Sequence, residues 1–347
     1  MAPKQPTVLL TNDDGPPSAV SPYIFGLYKH FTTLGWDVRV VIPSSQKSWI
    51  GKAYQLKDII HGRFYYPRDP DGLGESSDAP RALKDGEIGE WMLLNGTPAS
   101  CANIALHNLY PGEIDLVVSG PNLGRNTSCA FAMSSGTVGA AMSSALSRIR
   151  SIALSYGTVE KPTPETFFDP AHVLSVKIIR YLWDNWGTDN DGGLRNGEID
   201  FYSVNIPMIP GLLREDGLPI IWTRLWRNSY HRLFKAYSPE RAAEPEHPRL
   251  QAGPDSIETT PAQTISQEAE GGVPPKRIGG LLFEFSPDMK DFINLPPSSL
   301  PEGSDSWAIE MGLVSVTPMR ASFGEPPAEN VFTPGGTVQD RLWKIKL

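Results

Sequence analysis

The sequence has 347 residues, of which 40% are hydrophobic and 20% charged, and its formal net charge is -8 at pH 7. That acidic balance argues against nucleic acid polymers and membranes as partners, because both attract proteins through clustered Lys and Arg. No apolar run approaches the roughly 20 residues of a membrane span, and the first residues lack the apolar core of a signal peptide, so we expect a cytoplasmic protein. The two cysteines are too few for a disulfide framework or a four-thiolate zinc site.

The predicted elements begin with a buried strand over residues 7–11, where a short apolar run stops at a Gly/Pro cluster. A helix follows, because Ile24, Leu27 and Phe31 recur at helical spacing. The same patterns predict strands in DVRVVIPS, WMLL, IDLVVSG, SIALSYG and DFYSVNIP, and helices in PASCANIALHNLY, SGTVGAAMSSALSR and AHVLSVKIIRYLWDNW. Strands that alternate with helices are typical of a doubly wound α/β fold with a mainly parallel sheet.

Two parts of the chain depart from this alternation. Residues 44–89 are rich in Gly, Pro and Asp and carry only weak strand patterns, which predicts a long functional or mobile loop. From about residue 219 a β-branched and aromatic stretch suits a hairpin or an arm. Residues 238–272 are rich in Pro, Glu and Ser, and we interpret them as a flexible insert. We therefore predict a core over 1–237 and a C-terminal segment, 273–347, that completes the same domain.

Oxygen-bearing side chains follow three of the predicted strands. Asp13 and Asp14 come directly after the first strand, and two like charges side by side repel each other unless a cation or a shared proton relieves them. The alternative is that they and their neighbour Asn12 form a turn or cap the next helix. Ser48 and Asn122 follow two further strands, and parallel strands end at one edge. Hard oxygen ligands favour Mg²⁺, Mn²⁺ or Ca²⁺ over zinc.

A predicted helix start lies in SSGTVGAAM. The free N–H groups and the positive dipole end of a helix start bind anions, and Ser135 and Thr137 add hydroxyl donors. The alternative is that one of these hydroxyls only caps the helix. An oxyanion site beside a hard metal indicates a phosphate ester substrate.

Other phosphate chemistries lack their signatures. The sequence contains no GxxxxGK[ST] and no GxGxxG after a strand. Neither cysteine is followed six residues later by the arginine of a cysteine phosphatase, and Asp13 does not start the DxD loop of an aspartyl phosphatase. No histidine lies in the candidate loops. Metal-activated water is the remaining chemistry.

Eight segments, taken in order, carry a family resemblance. They are LLTNDDG, VIPSSQKSWIG, NGTPASC, DLVVSGPNLGRN, SSGTVGAAM, VNIP, TRLWR and SDSWAIEMGLVSVTPM. Together they resemble the SurE family of metal-dependent phosphatases and nucleotidases over residues 7 to about 320. The resemblance implies a Rossmann-like three-layer α/β/α domain with an extended β-hairpin arm, C-terminal elements that pack between subunits, and assembly as a homodimer or homotetramer. It also implies hydrolysis of nucleoside 5′- and 3′-monophosphates and related small phosphate esters.

The resemblance also implies roles for individual residues. The metal ligands it implies are Asp13, Asp14, Ser48 and Asn122, and the two aspartates are the catalytic candidates. The metal would be Mg²⁺ or Mn²⁺, and Ca²⁺ could occupy the same site. The phosphate and substrate contacts would be Asn12, Gly124, Asn126, Ser135, Gly136 and Thr137.

Departures from the bacterial pattern leave the substrate open. Pro121 and Ser128 replace residues common in bacterial members, and Met133 and Ser134 stand where the family often has a ring beside the pocket. Eukaryotic members often combine such changes with insertions and acid phosphatase activity. The alternatives are therefore a general acid phosphatase or a polyphosphatase, a nucleotide-binding module without turnover, and a structural oligomer with a Trp-rich arm.

Overall fold

The computed structural model describes residues 5–158, 162–236, 282–287, 289, 293 and 295–324. Its strands are β1 (Thr7–Thr11), β2 (Asp37–Pro43), β3 (Gly62–Pro67), β4 (Gly74–Ser77), β5 (Trp91–Leu94), β6 (Leu116–Leu123), β7 (Arg150–Thr158), β8 (Phe201–Met208), β9 (Ile220–Trp222), β10 (Phe234–Ala236), β11 (Phe283–Phe285) and β12 (Val314–Met319). Its α-helices are α1 (Ile24–Thr33), α2 (Pro98–Ile104), α3 (Ser128–Ser134), α4 (Gly136–Leu146), α5 (Phe168–Asp184) and α6 (Asp305–Glu310).

Ten of the described strands form one sheet in the order β4-β3-β5-β2-β1-β6-β7-β8-β12-β9. Its centre, from β5 through β8, is parallel throughout. Strand β12 is antiparallel to β8, and β3 and β4 add an antiparallel pair at the other edge. The predicted fold class, a doubly wound α/β fold with a mainly parallel sheet, is confirmed.

Apolar side chains on both faces of the sheet explain its three layers. In β1, Val8 and Leu10 belong to the cluster under α1 and α5, whereas Leu9 belongs to the cluster under α2. All three are fully buried, as expected for a strand covered on both faces. The packing of α2 against α4 closes the second layer. Both faces of the central strands are therefore covered, and the chemistry is confined to their ends.

The segment 44–89 is more regular than predicted. It contains β3 and β4, and β3 pairs with β5 at the sheet edge. In the part of the segment after β4, the buried Glu87 accepts hydrogen bonds from both terminal nitrogens of the Arg81 guanidinium at 2.6 and 2.7 Å. The strand signal is weak here because edge strands need no continuous apolar run.

The region after residue 219 differs from the predicted hairpin. Strand β9 joins the main sheet parallel to β12, and the antiparallel pair forms instead between β10 and β11, on either side of residues 237–281. We call residues 223–236 together with 282–287 the arm. The predicted insert, 238–272, and the tail, 326–347, lie outside the described residues.

No helix in the part of the chain that the structure describes is both long enough and apolar enough to cross a membrane. The predicted domain division, 1–237, 238–272 and 273–347, stays a prediction.

Candidate active site at the carboxyl ends of β1 and β6

The loop after β1 is closed by Asn12. Its amide nitrogen donates to the Gly15 carbonyl at 2.8 Å, and its side-chain oxygen accepts from the Gly15 N–H at 3.1 Å. Ser21 donates a second hydrogen bond to the Gly15 carbonyl. The turn alternative is therefore correct for Asn12, whose predicted contact with substrate stays a prediction. This turn fixes the direction in which the next two carboxylates leave the strand.

Asp13 lies against the start of α4. The Thr137 hydroxyl donates to its carboxylate at 2.5 Å, and only 3% of the residue is exposed. Burial raises the pKa of Asp13 to about 6, although hydrogen bonds from Thr137 and from the backbone at 136 and 137 favour the charged form. The N–H groups at this helix start therefore already face an anion, the Asp13 carboxylate itself.

Asp14 is equally buried and points toward β6. Its carboxylate accepts a hydrogen bond from the Leu123 N–H at 2.8 Å. Burial, and then the charge of Asp13, raise the pKa of Asp14 well above its usual range, whereas the bonds from Leu123 and the Gln46 side chain act in the opposite direction. Two carboxyl groups that repel each other when both are charged are thus held together, almost completely buried.

The loop after β2 passes beside this pair. The Lys47 N–H donates to the Asp13 carbonyl at 2.7 Å, which holds the loop that carries Ser48 against the end of β1. Further along, the Gly51 N–H donates to the Ser134 carbonyl at 2.8 Å, so the loop spans from β1 to the end of α3. Thr97, which caps α2 by accepting from the Ser100 N–H, also donates to the Ala53 carbonyl at 2.5 Å. The NGTP segment thus anchors the far end of the loop that carries Ser48.

The third side of the candidate site is the end of β6, and Asn122 lies inside this strand rather than after it as predicted. Asn122 is buried, and its amide nitrogen donates to the Gly124 carbonyl at 2.7 Å, which leaves its amide oxygen as the atom suited to bind a cation. Gly120 allows this geometry because its φ is +120° and a β-carbon there would lie 2.1 Å from the Leu154 carbonyl oxygen. The pairing of β6 with β7 shifts register between Ser119 and Asn122 for the same reason.

Asn126, a predicted substrate contact, is held by the neighbouring strands. Its amide nitrogen donates to Ser155 at 2.9 Å, and its backbone N–H donates to the Asn205 side chain at 2.7 Å. Ser155 and Asn205 are paired across β7 and β8. The VNIP segment by itself indicates no role for Asn205, because the partner of this side chain lies 79 positions away in the chain.

The two hydroxyls at the start of α4 have different hydrogen-bond partners. Ser135 is the N-cap, since its hydroxyl accepts from the Val138 N–H at 3.1 Å. Thr137 instead supports Asp13 through its hydroxyl. Gly136 lies so close to the first strand end that a β-carbon there would be 2.7 Å from the Asp13 β-carbon and 3.0 Å from Pro98. Only glycine allows the helix start to approach the carboxylates this closely.

One important residue lies outside the predicted set. The carboxylate of Asp305 in α6 accepts hydrogen bonds from the N–H groups of Ser128 at 2.7 Å and Trp226 at 2.9 Å. It therefore joins the start of α3 to the base of the arm. Burial raises its pKa to about 6. The SDSW segment contains Asp305, but its partners are too distant in sequence to be inferred.

The donor set fits a hard divalent cation. Among the described residues no Lys, Arg or His forms an ion pair with Asp13 or Asp14. Buried charges are normally paired or bound to a metal, and no described cationic side chain supplies the counter-charge of this pair. The same described residues contain no group of three or more His, Cys, Asp or Glu side chains that could hold a metal. Carboxylate, hydroxyl and amide oxygens, the donor types of Asp13, Asp14, Ser48 and Asn122, are nevertheless those that Mg²⁺ or Mn²⁺ prefers.

Comparison with known proteins places these segments in a family context. The model of the family described as "Survival protein SurE" matches residues 8–232. A Pelobacter propionicus protein named "5'-nucleotidase SurE" is 30% identical over 223 residues, which cover 64% of this chain and 73% of that protein. A Desulfovibrio desulfuricans protein of the same name is 25% identical over 319 residues, or 91% of this chain and 93% of that one.

A longer eukaryotic relative and a solved structure extend the comparison. A Saccharomyces cerevisiae protein named "Probable tubulin--tyrosine ligase PBY1" is 32% identical over 339 residues, which cover 91% of this chain but only 41% of that protein. The chain thus spans about two fifths of the length of the yeast relative. The crystal structure of the SurE protein from Aquifex aeolicus matches with a TM-score of 0.54 and 22% identity, over 92% of this chain and 95% of that one. This last likeness supports the fold.

Proposed function

This chain belongs to the SurE family, and we propose that it is a metal-dependent phosphomonoesterase that hydrolyses nucleoside 5′- and 3′-monophosphates and related small phosphate monoesters. The observation that carries the proposal is the pair Asp13 and Asp14, two carboxylates that are each 3% exposed and that no described cationic side chain neutralises. The relatives named 5′-nucleotidase support a phosphatase or nucleotidase role. The name of the yeast relative includes a ligase, which is not part of the proposal. The alignment covers 91% of this chain, so it includes most of the residues that match the SurE model, but it covers only 41% of the yeast protein.

The proposed ligands of the cation are Asp13, Asp14, Ser48 and Asn122. A Mg²⁺ or Mn²⁺ ion bound there would neutralise phosphoryl oxygens and lower the pKa of a bound water. Ca²⁺, which accepts the same oxygen ligands, is the third candidate.

The residues of the chain supply the remaining steps. The start of α4 favours an oxyanion through its partial positive charge and the Ser135 hydroxyl. One carboxylate of the pair, Asp13 or Asp14, accepts the proton of the water that attacks phosphorus. The ester P–O bond breaks opposite the attacking oxygen, and the leaving oxygen takes a proton from solvent, so the products are the alcohol and inorganic phosphate.

The test is phosphate release from p-nitrophenyl phosphate, polyphosphate and a panel of 5′- and 3′-nucleotides. The protein is first treated with EDTA, and Mg²⁺ or Mn²⁺ is then restored. We expect release only after a metal is restored, with nucleotides ahead of the other esters. Comparable rates on all monoesters would favour the general acid phosphatase. Binding of nucleotide without release, from a folded protein with any metal, would overturn the enzymatic proposal in favour of a binding module.

A further inference from the structure

Helix α6 contacts the polar segment after β6 at two places. The Arg125 guanidinium donates to the Glu310 carboxylate at 2.6 Å, and the Ser128 N–H donates to the Asp305 carboxylate at 2.7 Å. Asp305 and Glu310 are the first and last residues of α6. The helix therefore holds both ends of residues 125–128, which connect the end of β6 to the start of α3. We call these two contacts the α6 clamp.

The helix itself is fixed to the sheet, so it can serve as a rigid support. Ala308 and Ile309 are buried, and α6 packs against β12 and β8. In the ion pair, the side chain of Arg125 is 3% exposed and that of Glu310 18%, so water and salt screen it little. The clamp therefore joins the polar segment to the main sheet through buried groups.

Ser128 depends on the clamp because of its backbone conformation. Its φ is +73°, in the left-handed region that residues other than glycine rarely adopt. Its hydroxyl is buried without a hydrogen-bond partner among the described residues, and the preceding residue, Thr127, provides no side-chain cap for α3. The Asp305 carboxylate therefore both caps α3 and holds Ser128 in an unfavourable conformation.

The other contact of the clamp affects Asn122, a proposed metal ligand. The Asn122 amide nitrogen donates to the Gly124 carbonyl at 2.7 Å, and this carbonyl belongs to the planar peptide unit between Gly124 and Arg125. The Gly124 N–H, bonded to the Tyr156 carbonyl at 3.0 Å, belongs to the preceding unit. A glycine between two peptide units resists their relative rotation little. Holding Arg125 therefore restricts the direction of the carbonyl that orients the Asn122 amide.

We propose that Asp305 and Glu310 are positioning residues of the metal site, which hold residues 125–128 so that the amide oxygen of Asn122 stays available to the cation. The inference rests on the proposed function, because it takes Asn122 to be a metal ligand. Neither carboxylate contacts the cation or the substrate, and each acts through the segment that it holds. Replacing a residue that orients a metal ligand commonly weakens metal binding 10- to 100-fold.

The test measures Mn²⁺ binding to metal-free protein by titration calorimetry. Asp305→Asn places an amide N–H group among backbone N–H donors, and Glu310→Gln removes the charge that faces Arg125. We expect each variant to bind Mn²⁺ about tenfold more weakly than the wild type. In turnover assays, the Mn²⁺ concentration for half-maximal phosphate release should rise by the same factor, with a smaller change in kcat at saturating Mn²⁺. Circular dichroism establishes that each variant folds, and Glu310→Gln alone carries the test if Asp305→Asn does not fold.

Two variants at the opposite edge of the sheet are the matched controls. The Asp200 carboxylate is buried and accepts two backbone N–H groups at 2.8 Å, as Asp305 also accepts backbone N–H groups. Glu198 pairs with an arginine, and its side chain is 19% exposed, against 18% for Glu310. Asp200→Asn and Glu198→Gln should lower the melting temperature as the clamp variants do but change Mn²⁺ affinity less than about twofold. Equal Mn²⁺ affinities in clamp and control variants would overturn the inference.

A double variant tests how Asp305 acts. Glycine adopts the left-handed conformation without support, so adding Ser128→Gly to Asp305→Asn should recover most of the lost Mn²⁺ affinity. A residue that only stabilised the fold would not be rescued in this way. Absence of recovery in a folded double variant would therefore overturn the positioning role of Asp305.

Phosphate release separates this inference from the proposed function. Mn²⁺ binding that depends on the clamp, without phosphate release from any ester, would support the inference and overturn the phosphatase proposal. Metal-dependent phosphate release, with Mn²⁺ bound as tightly by Asp305→Asn and Glu310→Gln as by the wild type, would do the opposite. Absence of Mn²⁺ binding by the wild type would overturn both.

Discussion

Two buried acidic sites in this molecule have opposite electrostatic surroundings. Glu87, in the segment between β4 and β5, faces the Arg81 guanidinium, and hydrogen bonds from it lower the pKa of the carboxyl to about 2. Asp13 and Asp14, at the end of β1, face each other, and burial raises both pKa values. Both sites lie beside the same sheet. The difference is that Glu87 has its counter-charge in Arg81, whereas no cationic side chain among the described residues forms an ion pair with Asp13 or Asp14.

Removing the partner of a buried paired acid destabilises the fold, whereas a buried acid pair without a partner costs stability unless a ligand supplies the charge. The presence or absence of a counter-charge therefore distinguishes a structural ion pair from a candidate metal site, and the distinction needs no information on conservation. It also makes the two sites respond in opposite directions to mutation, pH and metal.

The largest expected effect is on activity. Asp13→Asn removes a proposed ligand and a proposed base while keeping the oxygen that Thr137 contacts, so phosphate release should fall at least about 1,000-fold with the fold intact. Steady-state phosphate release and circular dichroism measure the two quantities. Glu87→Gln is the matched control at the other acidic site and should keep activity within about twofold. Near-normal turnover in a folded Asp13→Asn protein would remove Asp13 from the mechanism.

The next effect concerns the contact between the helix start and the carboxylates. Gly136→Ala would place a β-carbon 2.7 Å from the Asp13 β-carbon, so the two elements must separate. A displacement of this kind at a catalytic site costs on the order of 100-fold in kcat, which steady-state phosphate release measures. Gly324→Ala, at a position where a β-carbon meets open space, is the control. Full activity in Gly136→Ala would mean that the close approach of α4 is not required for the reaction.

The edge of the sheet that carries the site could be predicted from the sequence because that edge has local signatures. Apolar runs mark β1, β2 and β6, and the candidates Asn12, Asp13 and Asp14 come directly after the first of them. The sequence predicts Asn122 after the strand IDLVVSG, whereas β6 continues to Leu123 and α3 begins at Ser128. The polar residues at the end of β6 give no strand signal in the sequence. The backbone conformation of Gly120 and the register shift depend on contacts with β7, which the sequence does not show.

The remaining site features depend on residues far apart in the chain. Asp305 contacts Ser128 across 177 positions, and Tyr230 contacts Ser134 across 96. Such pairs leave no periodic pattern, since each partner alone is compatible with a cap or a turn.

The third prediction uses the pH dependence of stability in metal-free protein. Since the pKa of Asp13 rises from 3.8 to about 6 on folding, the folded state binds the proton more tightly, and stability is lost as pH rises through that interval, by about 3 kcal/mol for this group. Asp14, whose pKa is raised well above its usual range by burial and by the charge of Asp13, and Asp305, with a pKa raised to about 6, add to the slope. Urea unfolding in EDTA between pH 4 and 7 measures it. Asp13→Asn should reduce the slope and leave the contributions of Asp14 and Asp305, and a slope unchanged in Asp13→Asn would contradict the assignment.

The smallest expected effect is a change in melting temperature that has opposite signs in two variants at pH 7 in EDTA. Asp13→Asn removes one of two repelling buried charges and should raise the melting temperature by a few degrees, whereas Glu87→Gln removes the closer charged partner of Arg81, leaves only Glu75 at 3.6 Å, and should lower it by a similar amount. Added Mn²⁺ should stabilise the wild type and Glu87→Gln equally, because neither lacks a proposed ligand, and should leave Asp13→Asn nearly unchanged. Differential scanning calorimetry with and without Mn²⁺ measures all three proteins. If both substitutions lowered the melting temperature in EDTA, the aspartate pair would be a structural site like Glu87, and the argument from its missing counter-charge would fail.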